Sequence, residues 1–188
     1  DTCAGAASDT QTGPFQASNS LDVAGASLSG YADLSLGILR ARAVADPTPS
    51  SGASTISAFS DSLVFAPGTA GTAYLKWHWD GVISRAAELP ANYAAGILHV
   101  QMSVTGSAVF PDWSFEQAYV LRPKECYDWV QDVCQVGKSI DQFNQLAVPI
   151  YGGETYRIYV DLIADANFGA TSNFSSTTSR RPSSPATV

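Results

Sequence analysis

The side chains able to do chemistry in this chain are few, and they do not fall into a catalytic pattern. His78 and Asp80 sit two apart in YLKWHWDG, and His99 belongs to the next alternating stretch. Two imidazoles and a carboxylate are a donor set that zinc accepts. Tyr74 and Lys76 share the parity of His78 and Asp80, however, and a row of that kind reads as the solvated side of a strand. Asp112, Glu116 and Glu125 are acids of the sort that glycosidases pair across a scissile bond, but nothing in the spacing sets their separation. On an acidic chain such residues serve solubility. No Gly-x-Ser-x-Gly elbow joins a strand to a helix, and no glycine loop for phosphates or dinucleotides occurs. Asp161 and Asp165 remain as carboxylates for structural calcium, without an EF-hand pattern. The expectation is a protein that is not an enzyme and uses no cofactor or metal.

Aromatic and sulfur side chains carry more. Trp113, Tyr127 and Trp129 lie in or beside a polar loop. Exposed rings on a β-sheet protein can stack on sugar faces; the competing reading has these rings closing one end of the core. Cys126 and Cys134 bracket CYDWVQDVC, a spacing that suits a small disulfide-closed loop in an oxidising compartment, with two free thiols as the alternative. Cys3 is left over, either free or paired between chains.

Composition narrows the class. The chain has 188 residues, 45% of them hydrophobic, only 14% charged, and a formal net charge of -7. That length suits one domain with a sizeable core. The acidic balance argues against nucleic acid and anionic membranes as partners. No apolar run reaches the length of a membrane-spanning helix. With no basic leader before Asp1, the chain reads as a mature exported product.

The elements that would position these residues are strands. Alternation from Ala58 to Ser84 predicts a β-hairpin, with Phe59, Leu63 and Phe65 on one face of the first strand and Leu75, Trp77 and Trp79 on one face of the second. Pro67, Gly68 and Gly71 break the pattern between them, and Asp80-Gly81 is expected to turn the chain. Tyr31–Ala45 predicts a strand with Leu34, Leu36 and Ile38 inward and a bulge near Leu39. Leu98, Val100, Met102 and Val104 form another inward row. Tyr156, Ile158, Val160 and Leu162 form the clearest one after them, closed by a strand with Phe168 and Phe174. The Gln145–Tyr151 strand ends at the Gly152-Gly153 turn. About nine antiparallel strands predict an all-β sandwich or jelly roll over residues 30–178, with a polar tail over 179–188. Residues 1–29 read as an extended segment with no Lys and one Pro, Pro14. Leu21 and Val23 are apolar knobs on one side, and Gly25 allows close backbone approach, so this segment is a candidate donor strand for a neighbouring copy.

Two stretches together carry a resemblance. FSDSLVFAPGTAGTAYLKWHWDGVIS resembles the hairpin of bacterial secreted proteins of the PEP-CTERM-sorted kind, and ADANFGATSNFSSTT, with YGGETYRIYVDLIADA before it, is similar to their closing strands. The resemblance implies an exported protein near an extracellular polysaccharide or biofilm matrix, and it carries over no catalytic residue. The function expected is that of a self-associating structural subunit at the cell surface, a homo-oligomer built by strand addition between copies. The alternative is a carbohydrate-binding module, for which Trp113, Tyr127 and Trp129 would be the stacking rings.

Overall fold

The computed structural model describes residues 16–48, 51–85, 93–104, 113–121, 137–167 and 169–182. The described residues hold ten strands and no helix: β1 (Gln16–Val23), β2 (Ala26–Asp33), β3 (Ile38–Ala45), β4 (Gly52–Val64), β5 (Ala70–Arg85), β6 (Tyr93–Val104), β7 (Trp113–Leu121), β8 (Gly137–Tyr151), β9 (Thr155–Asn167) and β10 (Ala170–Pro182). They form a six-stranded sheet ordered β1-β2-β3-β10-β5-β8 and a four-stranded sheet ordered β4-β9-β6-β7, antiparallel throughout. Eight strands pair in nested fashion, β6 with β7, β5 with β8, β4 with β9 and β3 with β10. Such nesting is one antiparallel ribbon folded over on itself, the wrapping of a jelly roll. A hairpin, β1–β2, is added at the β3 edge.

The core lies between the sheets and holds the rows expected of it. Leu75, Trp77 and Trp79 from β5 are buried, as are Leu98, Val100, Met102 and Val104 from β6 and Tyr156, Ile158, Val160 and Leu162 from β9. Packing is graded across the sandwich. Beneath β5, rings meet rings: Trp77 and Phe115 at 4.9 Å, Trp79 and Phe174 at 5.6 Å between centroids. Phe174 fits because Gly81 and Gly96 leave room, since a Cβ on Gly96 would come within 3.0 Å of three of its ring atoms. Beneath β2 and β3, Leu39 apart, the buried residues are small, among them Ala41, Ala43, Ser57 and Ser172, and hydroxyls bridge the layers. Ser57 Oγ accepts the Tyr31 N–H at 3.0 Å and donates to the Arg40 carbonyl at 2.6 Å.

Several expectations are corrected. Ala58–Ser84 is not a hairpin, because β4 lies in the four-stranded sheet and β5 in the six-stranded one. The chain arches across the core at Phe65–Thr69, so the two apolar rows face each other from opposite layers. Period-two alternation is the same in a hairpin and in an arch, which is why the sequence does not separate them. Asp80-Gly81 is no turn either: β5 runs on to Arg85, and Gly81 is small because its paired neighbour is Phe174. Of the row expected inward, Leu34 packs against the core but Leu36 is 60% exposed, and the phase changes before Leu39, with Leu39, Ala41, Ala43 and Ala45 buried. A turn at Leu34–Gly37, rather than a bulge, resets it. The Asp33 carboxylate builds that turn by accepting the Ser35 hydroxyl at 2.6 Å and the Leu36 N–H at 3.0 Å.

Leu21 and Val23 lie in β1, paired with β2 of the same sheet, and Gly25 (φ 92°) makes the turn between these two strands. Residues 16–23 of the 1–29 segment read as a candidate donor strand thus pair with β2 in this sheet. Residues 179–182, expected in a polar tail, extend β10 opposite Lys76–Ala73, since backbone pairing needs no apolar side chains. β8 likewise starts at Gly137, well before Gln145.

Candidate functional site

Strand β3 reads ILRARAVA, in which alternate small residues enter the core and Arg40 and Arg42 point out. Because neighbouring strands are in register, each arginine heads a row across the outer face of the large sheet. Ser18, Tyr31, Arg40 and Ser175 align in one row. Ser20, Ser29, Arg42 and Asn173 align in the next, about 7 Å away along the strands. Between them runs a groove of about 430 Å³ lined by these residues from Ser18 to Asn173.

The groove is polar, and among the described residues no carboxylate pairs with its cations. Arg40 sits over the Tyr31 ring at 5.6 Å, a cation–π contact. Arg42 Nη1 donates to the Ser27 hydroxyl at 3.4 Å. Among the described residues neither guanidinium forms an ion pair. Tyr31 is fixed from its other end, its hydroxyl donating to Asp33 Oδ2 at 3.1 Å, and burial with this bond pushes the phenol pKa up. Asp33 also accepts Gln16 Nε2 at 2.8 Å. Its carboxyl is held at about 2, chiefly by the Ser35 hydroxyl, with Gln16, Leu36 and Tyr31 adding to the effect against the opposing desolvation. One carboxylate thus ties β1, the β2–β3 turn and the tyrosine under Arg40 into a rigid floor.

The same outer face continues over β5 and β8. His78 Nε2 lies 2.6 Å from Asp141 Oδ1, and its ring stacks on Phe143 at 4.0 Å and 5°. Phe143 is 77% exposed, an aromatic shelf open to solvent. Asp80 accepts the Ser175 hydroxyl at 2.6 Å.

The other residues singled out from the sequence do not join this site. His99 is on β6 and faces out from the opposite sheet, so the whole sandwich separates it from His78 and no metal can bridge them. It lies 3.4 Å from Asp161 on β9 and opposite Glu116 on β7. Burial raises the Asp161 pKa and Glu116 adds to this, while His99 opposes it. Among the described residues no group of three metal-ligating side chains occurs. Trp113 points inward from the edge strand β7 and packs, half-buried, against the core. Cys3, Asp112, Glu125, Cys126, Tyr127, Trp129, Cys134 and Phe168 lie outside the described residues. Arg40, Arg42, Tyr31 and Asn173 went unnoticed in the sequence as site residues. The signal present was the Arg-x-Arg alternation against alanines.

Searches of the chain against protein-family models, curated proteins and solved structures found no match.

Proposed function

We propose that the protein is an exported carbohydrate-binding module whose outer sheet face holds a segment of acidic polysaccharide. The observation that carries this reading is the pair of guanidiniums, Arg40 and Arg42, which have no carboxylate partner among the described residues of a chain of net charge -7. An arginine fork matches a carboxylate in geometry and charge. The serines, Asn173 and Tyr31 around it offer donors and acceptors for sugar hydroxyls. Phe143, on the same face, offers a flat ring for the apolar side of a sugar. No reaction is proposed, because the groove pairs no nucleophile with a base.

Calorimetric titration with polygalacturonate and with uncharged dextran tests the reading. Binding should favour the uronate polymer and weaken with salt. Arg40→Ala and Arg42→Ala should each cost about tenfold or more in affinity, as loss of a hydrogen bond to a charged group does. Equal binding of both polymers, or none, would refute it.

A further inference from the structure

We infer that the outer face of the large sheet selects a polysaccharide whose acidic sugars are isolated among neutral ones, with Asp80 turning away a second carboxylate beside the one that Arg40 and Arg42 hold. This deepens the acidic-polysaccharide reading of the groove and rests on it.

The groove has a direction. Gly30 and Ala41 form its floor, and the Arg40 and Arg42 rows form its walls. Both rows cross the strands, so a sugar chain seated between them lies across the sheet. Register carries the rows on past β10. Ser175 pairs with Asp80 of β5, and Asp80 with Asp141 of β8, so the Arg40 row ends in two carboxylates. Asn173 pairs with Val82, and Val82 with Ser139, so the Arg42 row adds no charge there. At about 4.8 Å per strand the track from β1 to β8 is about 24 Å long, room for several sugar units.

Charge changes sign along that track. Asp80 lies two strands, about 10 Å, from Arg40. It accepts the Ser175 hydroxyl at 2.6 Å, which draws its carboxylate toward β10 and the groove. Asp141 stands beside it, 77% exposed. Lys76 is four residues, about 13 Å, away along β5, and His78 is engaged with Asp141. In the other direction the rows reach the serines of β1, and exposed Asp22 lies one row further on. A ligand carboxylate therefore has one favourable position, at the two arginines. A second one, carried by the next sugar toward β8, would come up against Asp80.

The fold does not account for the acid pair. Like charges directly opposite on neighbouring strands are destabilising, and Asp80 and Asp141 are opposite in register. Among the described residues no Lys or Arg pairs with either. Phe143, two residues along β8 from Asp141, stacks on His78 and is open to solvent. A ring beside two carboxylates fits a neutral sugar, its apolar face on the ring and its hydroxyls donating to the acids.

Oligogalacturonates keep the sugar constant while methyl esterification varies the charge. Calorimetric titration of the full chain at low ionic strength, where charge contacts are least screened, should rank partly esterified hexagalacturonate tightest, the free acid next and the fully esterified form weakest. Asp80→Asn keeps an acceptor for Ser175 and should raise affinity for the free acid by about two- to fivefold, the size of one exposed charge contact. Its effect on the partly esterified form should be smaller. Glu116→Gln removes the same charge from the opposite sheet and should change neither affinity. If Asp80→Asn fails to fold, Asp141→Asn should show the same relief from β8. Tightest binding to the free acid, or a charge-removal effect no larger than that of Glu116→Gln, overturns the inference and leaves the groove an acidic-sugar site. Equal binding of all three oligomers, or none, overturns the groove reading and this inference with it.

Discussion

Replacing Gly96 by Ala tests the graded core at its tightest point. In an ordinary strand this change stabilises, because Ala loses less conformational freedom on folding, by about 0.5–1 kcal/mol. Here the new methyl would overlap the Phe174 ring, meeting three of its atoms inside 3.0 Å. The ring cannot slide away. It is 2% exposed, has Trp79 at 5.6 Å, and rests on Gly81, where a Cβ would meet the same residue. Overpacking of this kind costs about 1–3 kcal/mol, and the upper end is expected because both sheets confine the ring. Urea unfolding followed by tryptophan fluorescence reads the change in midpoint at constant slope. Gly71→Ala is the control, since no atom lies within 4 Å of a Cβ there; it should stay within about 0.5 kcal/mol of the wild type. Combining Gly96→Ala with Phe174→Leu should recover about 1 kcal/mol relative to additivity, because both changes address one clash. A Gly96→Ala protein as stable as the wild type, or strict additivity in the double variant, would show that the ring is not held between these glycines.

Asp33 should stabilise the fold in a pH-dependent way. Its carboxyl is depressed to about 2 from the ordinary 3.8, so its contribution is complete above about pH 4 and is lost as pH falls through 2. Asp33→Asn should lower stability at neutral pH and flatten that acid limb in melts recorded from pH 2 to 5; an unchanged limb refutes the assignment. Trp77→Ala removes a ring that is 2% exposed and packed on Phe115, and should cost about 3–5 kcal/mol in the same urea assay. Unchanged stability would reverse the assignment of faces in β5.

Local pattern and tertiary arrangement divide cleanly in this chain. Alternation in Leu75–Trp79, Leu98–Val104 and Tyr156–Leu162 determined by itself that these are strands and which side each buries, because a side chain's face depends only on its own strand's pleat. The Gly152-Gly153 turn was equally legible, since Gly153 takes a φ of 91°. Which strands are neighbours was not. The same alternation serves the expected β4–β5 hairpin and the observed arch, and only packing against β9 and β8 respectively distinguishes them. Nor could alternation find the turn at Leu34–Gly37, which depends on the Asp33 carboxylate gathering donors from β1, β2 and the turn itself. The groove shares this character. Arg40 and Arg42 are adjacent in the sequence pattern, but Ser18, Tyr31 and Asn173 reach them from segments up to 155 residues apart, brought together by the register of four strands. A binding face made across a sheet is a property of strand order. Strand order is decided by how layers of unequal width bury their apolar rows, which no single segment encodes.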